Sequence, residues 1–335
     1  MKRTSLKDLA QKLGVSIATV SRALSGSHEV SEAMRERVRQ LATDMNYRPN
    51  PFAQGLRSDS PKVIGVILPN LVTHYYASVL DGIEDYALQH GYSVVTANSH
   101  EHYEMERNAV DNYISMHVKG IIACLAQDTV DYSHFKELRN MNVPLVFVAR
   151  TCLPELFSSV LANDDKAAYD ATQHLIANGC RRIAYIGGPN LLDSVRRRKH
   201  GYLEALKENR IPIDRSIITS IPVNHESAYQ STLALLSQDN RPDAILAFND
   251  IILHGAFMAV KSQGLSIPQD LAIVGFSESE STAYVTPALS VIMDQSHLEG
   301  RKACEHLLRH IGGDNQVQHE TVPMIFTIRE SCRRK

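Results

Sequence analysis

"SLKDLAQKLGVSIATVSRALSG", residues 5–26, carries two helical periodicities separated by a turn of about three residues. Leu6, Leu9, Ala10 and Leu13 recur on one helix face, and Ser5 with Asp8 three residues on has the arrangement of a capping box. Gly14 is the residue type that ends a helix in a left-handed conformation. The chain restarts at Ser16, a second N-cap, and Val20 with Leu24 gives the next helix its apolar side. Two short helices joined so tightly form a helix-turn-helix unit, in which the second helix enters the DNA major groove by its N-terminal end. A third helix, capped by Ser31 and carrying Val38, Leu41 and Met45 on one face, is expected to close the small core.

The second helix holds Ile17, Ala18, Thr19, Ser21 and Arg22. Such residues supply apolar contact to thymine methyls, hydroxyl bonds to phosphate or base, and one guanidinium fork suited to guanine. Helical hairpins are common, however, and Arg22 reads equally well as a solvated helix residue. Charge favours the first reading. Residues 1–60 contain ten lysines and arginines against six acids, although the whole chain has a net charge of −2. A basic head on an acidic body fits a polyanion partner for the head alone, because phosphate neutralisation supplies most nucleic-acid affinity.

The 335 residues exceed what one hydrophobic core organises, so at least two folding units are expected. An apolar fraction of 44% and a charged fraction of 21% are those of an ordinary globular protein. No apolar run reaches the roughly 18 residues of a membrane span, and Asp8, Gln11 and Lys12 interrupt any signal-peptide apolar region. A cytoplasmic location and no membrane partner are therefore expected. Cys124, Cys152, Cys180, Cys304 and Cys332 are odd in number and never in C-x-x-C spacing, which argues against a disulfide framework and a zinc site. His100 and His102 are close together, but no third ligand follows at diagnostic spacing.

From Val63 onward, short apolar runs alternate with helical stretches: "VIGVILP", "YSVVTAN", "GIIACLA", "PLVFVAR", "RIAYIGG", "IITSIPV", "AILAFND" and "LAIVGFS". Continuous apolar runs of strand length between helices mark parallel sheets covered on both faces, the doubly wound α/β class. Eight runs are too many for one compact half. Two open sheets with a cleft between them account for the number, and ligands in such folds sit beyond the carboxyl ends of the strands. Between head and body lies "YRPNPFAQGLRS", residues 47–58, where Asn50 can cap a helix beginning at Pro51. That helix spans about six residues, is unstable alone, and loses roughly 1 kcal/mol more to Gly55. By itself it reads as a linker.

"TVSRALSG", "VSEAMRERV", "YRPNPFAQGLRS", "IGVILPN", "RRIAYIGGP" and "TPALS" occur in an order and spacing that resembles the LacI/GalR family of bacterial repressors, over essentially the whole chain. The resemblance implies a homodimer reading a pseudo-palindromic double-stranded operator, with a small-molecule effector, carbohydrate by analogy, controlling its affinity. It implies a helix-turn-helix domain at 1–49 and a hinge helix and linker at 50–60. The remainder, 61–335, would be an effector core of periplasmic-binding-protein type, with one subdomain at about 61–162 and 294–320 and the other at about 163–293 and 321–335. DNA contacts are then expected at Ser5, Ser16 to Thr19, Ser21, Arg22, Asn50, Ala53, Leu56 and Arg57, Leu56 matching the leucine wedged into a minor-groove step. Gly55 departs from the commoner small polar residue there.

In the core, the resemblance places Tyr75 and Tyr76 over the effector, although an aromatic pair opening a helix is also ordinary packing. Arg198, ahead of Gly201-Tyr202, aligns with the family's effector-binding arginine, while Arg196, Arg197 and Lys199 are expected to face solvent. Asn249 and Asp250 end a strand where polar groups meet the ligand, although Asp250 reads equally as an N-cap. Two family aspartates are missing: Ala149 followed by Arg150 stands at one site and Ser277 at the other. Asp294, Glu278 and Asp164 are candidates to compensate, and the effector set is completed by Arg150, Ser277 and Asp294. No G-x-G-x-x-G, P-loop or G-x-S-x-G motif is present, so an α/β enzyme is set aside and no cofactor or metal is expected. A ligand receptor without DNA activity is the other alternative; the basic head argues against it.

Overall fold

The computed structural model describes residues 4–47, 62–189 and 192–333, and the chain divides into two units, residues 1–61 and 62–335. In the first unit, α1 (Leu6–Leu13), α2 (Ile17–Leu24) and α3 (Glu32–Asp44) enclose Leu9, Val20, Ala23 and Val38, all fully buried. The Ser5 hydroxyl accepts from the Asp8 N–H while the Asp8 carboxylate accepts from the Ser5 N–H, closing the capping box. Gly14 takes a φ of 68°, and the Ser16 hydroxyl accepts the Thr19 N–H at 3.0 Å. Ser31 precedes α3 but its hydroxyl makes no capping bond, contrary to expectation; only its carbonyl enters the helix, accepting from Met34 and Arg35. Ser16→Ala is accordingly expected to cost this unit about 1 kcal/mol and Ser31→Ala almost nothing, read from thermal unfolding followed by helical circular dichroism.

The second unit runs β1 (Val63–Leu68), α4 (His74–Gln89), β2 (Ser93–Asn98), α5 (Tyr103–Ser115), β3 (Ile121–Ala123), α6 (Ser133–Asn140), β4 (Leu145–Val148), β5 (Ser158–Ala162) and α7 (Asp164–Ala177). It continues with β6 (Ile183–Gly187), α8 (Asp193–Glu208), β7 (Ile218–Ser220), α9 (His225–Leu236), β8 (Ala244–Ala247), α10 (Asp250–Ser262), β9 (Ala272–Phe276), β10 (Ser290–Met293), α11 (Ser296–Ile311), β11 (His319–Val322) and β12 (Ile325–Thr327). Two six-stranded sheets result. The first has the order β11-β5-β4-β3-β1-β2 and is parallel throughout; the second, β12-β10-β9-β8-β6-β7, is parallel except where β12 pairs antiparallel with β10. The fold is α/β, with two doubly wound sheets in the second unit and three helices in the first.

The eight apolar runs supply β1 to β4 and β6 to β9, of which β2 and β7 are edge strands; the inner β5 and β10 and the edges β11 and β12 lie outside them. β11, "HETV", is a half-exposed edge and has no need of a continuous apolar run. The chain passes between the sheets after β5, after β10, and between β11 and β12. This third passage falls at Pro323–Met324, beyond the boundary at about 320, because β11 stays in register with β5 until Val322 meets Ala162. A close helix contact then sets the site. A Cβ at Gly201 would lie 2.0 Å from the Asp165 carbonyl oxygen, so only glycine lets α8 approach the start of α7 and bring Arg198 to Asp164.

Candidate DNA-reading face and effector cleft

α2 turns Val20 and Ala23 into the core and leaves Ser16, Ile17, Ala18 and Arg22 exposed, with Thr19 and Ser21 half-buried. Ile17, a large apolar side chain, is 39% exposed beside its N-cap, where surface burial offers it nothing. Arg22 Nε stands 3.2 Å from Glu29 across more than half-exposed surface. Such a pair contributes at most about 1 kcal/mol, so the guanidinium is free to exchange it for a base edge. Ser5 is exposed as well, but its hydroxyl is engaged by Asp8 at 2.6 Å. Asn50, Ala53, Leu56 and Arg57 lie outside the described residues.

In the second unit the candidate effector residues gather beyond the carboxyl ends of both parallel sheets. Arg198 is buried and forms the centre. Its Nε donates to Asp164 at 2.6 Å, its Nη1 to the Phe248 carbonyl at 2.8 Å, and its Nη2 lies 3.4 Å from Asp294. The guanidinium also covers the Phe276 ring at 3.8 Å. Asn249 rather than Asp250 is the N-cap of α10, its Oδ1 accepting the Ile252 N–H at 3.0 Å. Asp250 instead accepts from the buried Ser277 hydroxyl and pairs with His254 at 3.2 Å. That pairing holds the Asp250 carboxyl below its ordinary value against the effect of burial.

On the first sheet, Tyr75 and Tyr76 meet edge to face with centroids 5.1 Å apart. Arg150 does not join Arg198: it forms a two-pronged pair with Glu101 at 2.7 and 3.0 Å and donates to the Leu125 carbonyl. Arg197, expected in solvent, is half-buried on Asp165 at 2.7 Å, because α8 packs so closely on α7. His74 Nδ1 stands 3.4 Å from Glu278, joining the two sheets' loops across the cleft. No group of three or more histidine, cysteine or acidic side chains that could hold a metal ion occurs among the described residues.

Sequence reasoning missed Glu299. It lies fully buried on α11, where its Oε2 accepts the Tyr75 hydroxyl at 2.6 Å and its Oε1 has no hydrogen-bond partner. The available signal was an acid in the helical stripe otherwise formed by Gly300, Ala303 and Leu307. Burial, with the charge of Asp294 added, pushes Glu299 up to about 8. Burial likewise pushes Asp294 up to about 7 against the pull of Arg198. Both folded values lie above those of an unfolded chain, so the native core holds protons that the unfolded chain has released by about pH 5. The stability this confers is present in mild acid and is lost as pH rises toward 8. Thermal melts should therefore fall from pH 6 to pH 8, and Glu299→Gln should flatten that slope and raise the melting temperature at pH 8.

The family described as bacterial regulatory proteins, lacI family, matches residues 5–50, and the periplasmic binding protein-like domain matches residues 172–332. The catabolite control protein A of Priestia megaterium is 31% identical over 309 residues, 92% of each chain. The transcriptional repressor CytR of Escherichia coli K12 is 31% identical over 319 residues, 93% of each. Among solved structures, a lac repressor dimer bound to operator and the anti-inducer ONPF superimposes with a TM-score of 0.87 at 27% identity, covering 99% of both chains. A complex of the transcriptional regulator CelR with cellobiose gives a TM-score of 0.74 at 25% identity, covering 98% of this chain and 100% of that one.

Proposed function

The chain belongs to the lacI family of bacterial regulatory proteins, and on that premise we propose how its residues divide the work. It is a DNA-binding transcriptional regulator, not an enzyme, and it acts in the cytoplasm as a repressor. Two copies each place α2 in one major-groove half-site of a pseudo-palindromic operator, with Ile17, Ala18, Ser21 and Arg22 toward base edges and Ser5, Ser16 and Thr19 toward phosphates. Asn50, Ala53, Leu56 and Arg57 supply the central contacts, Leu56 wedging a minor-groove step. A segment that must fold on DNA lends its affinity to control, because anything that separates its two copies removes their support.

Control comes from the cleft. An effector held between Tyr75, Tyr76 and Arg198 bridges loops of both sheets, with Asp294, Asn249, Ser277 and Arg150 at its margins, and thereby selects one arrangement of the two halves. The observation that carries the reading is the solvent-facing, apolar and cationic surface of α2 on a chain whose second unit has a two-sheet cleft around a buried arginine. The test is a titration of an operator duplex, labelled for fluorescence anisotropy, with compounds that raise the core's melting temperature. Such a compound should change the operator dissociation constant about fivefold or more. Stabilisers that leave DNA affinity unchanged would count against the coupling.

A further inference from the structure

The cleft floor has a surplus of hydrogen-bond acceptors. Asp164 and Asp294 face the Arg198 guanidinium, while Glu278, which accepts from the Ser296 N–H and hydroxyl, and Glu299 add their electrostatic effect to the same group of carboxyls. The short bonds of Arg198 go to Asp164 and the Phe248 carbonyl, and a 3.4 Å contact reaches Asp294. The Tyr75 hydroxyl is committed to Glu299 Oε2, and His74 faces Glu278 rather than the other acids. Independently of that cluster, Glu299 is 0% exposed and its Oε1 has no hydrogen-bond partner among the described residues. A buried carboxyl oxygen without a partner carries a desolvation penalty that a hydrogen-bonding group brought by a ligand would relieve. Asp294 and Tyr75 keep part of their surface open and mark the route to it.

Resting on the effector-controlled reading above, we propose that the effector is a hydroxylated small molecule bearing a protonated amine, which it places against Glu299 and Asp294. A phosphate or carboxylate at this position would bring its negative charge among four carboxyl groups and find Arg198 already paired. A neutral polyol would satisfy Oε1 but leave the negative surplus uncompensated. Because burial makes Glu299 and Asp294 hold protons near neutrality, an incoming ammonium displaces those protons, and its affinity rises with pH between 6 and 8.

The test uses the full chain and defined probes: methylammonium and D-glucosamine, with sodium, D-glucose and D-glucose 6-phosphate as matched controls, in thermal melts at pH 6 and pH 8. Methylammonium should raise the melting temperature by about 2 °C or more over equal sodium at concentrations several times its dissociation constant, and by more at pH 8 than at pH 6. Glucosamine should exceed glucose, and glucose 6-phosphate should give no increment. Glu299→Gln and Asp294→Asn should each abolish the ammonium increment. Equal stabilisation by sodium and methylammonium, a retained increment in both variants, or a preference for the phosphate would overturn the assignment. Operator binding by the ligand-free protein is measured on the same preparations. If it persists without an ammonium response, only the ligand class fails; if it is absent, the regulator reading fails.

Discussion

Arg198→Ala is expected to lower the stability of the second unit by about 3–5 kcal/mol, the cost of leaving buried carboxylates without their cation. Asp164 and Asp294 both face the guanidinium, and the Phe248 carbonyl loses its donor at the same time. The ring of Phe276, 3.8 Å from the guanidinium carbon, loses its covering as well. Urea unfolding measures the loss. The electrostatic origin has its own check, because Arg198→Met combined with Asp164→Asn and Asp294→Asn removes the charge conflict along with the cation. That triple variant should recover most of the stability. A single-variant cost below about 1 kcal/mol would show that Arg198 is not the centre of the network. The same substitution should also abolish the change in DNA affinity on adding effector, while the ligand-free first unit, which has its own core, still binds DNA.

Arg22→Ala is expected to weaken binding to the selected operator by about 1–3 kcal/mol, roughly five- to 150-fold, and to relax base preference at one position of each half-site. Anisotropy titrations against the operator and its single-base variants measure both. If Arg22 instead touches phosphate, affinity falls equally on all sequences and the salt slope drops by about 1, an outcome that would move the sequence-reading role to other residues of α2. The pairing with Glu29 does not mask the effect, since both side chains are more than half exposed.

Much of this was legible in the sequence where chemistry is local. The capping box at Ser5 and Asp8, the left-handed Gly14 and the Ser16 cap are decided within four residues of chain, and periodicity alone placed Leu9 and Val20 in one core. The strands β1, β3, β4, β6, β8 and β9 announce themselves by unbroken apolar runs. β11 does not, because an edge strand buries little. The effector cleft was harder to read, for it is made by contacts between residues far apart in sequence. Arg198 was singled out from its place before Gly201-Tyr202, but its pairing with Asp164 depends on the close passage of α8 over α7 at Gly201. Arg150, judged from its place after β4, pairs with Glu101 in the loop after β2, three strands across the sheet. Glu299 escaped because a single acid in an apolar helical stripe looks like a surface position until the partner helix is placed over it. The hinge contacts at Leu56 and its neighbours rest on resemblance alone.

The most direct test of the account is selection of bound duplexes from a random pool by the purified chain, followed by affinity measurement of the enriched sequence at 50 and 200 mM salt. The account predicts an inverted repeat of two half-sites with dyad symmetry, and an affinity that falls by several powers of ten over that salt range. Enrichment of no symmetric sequence, or binding indifferent to salt, would contradict it.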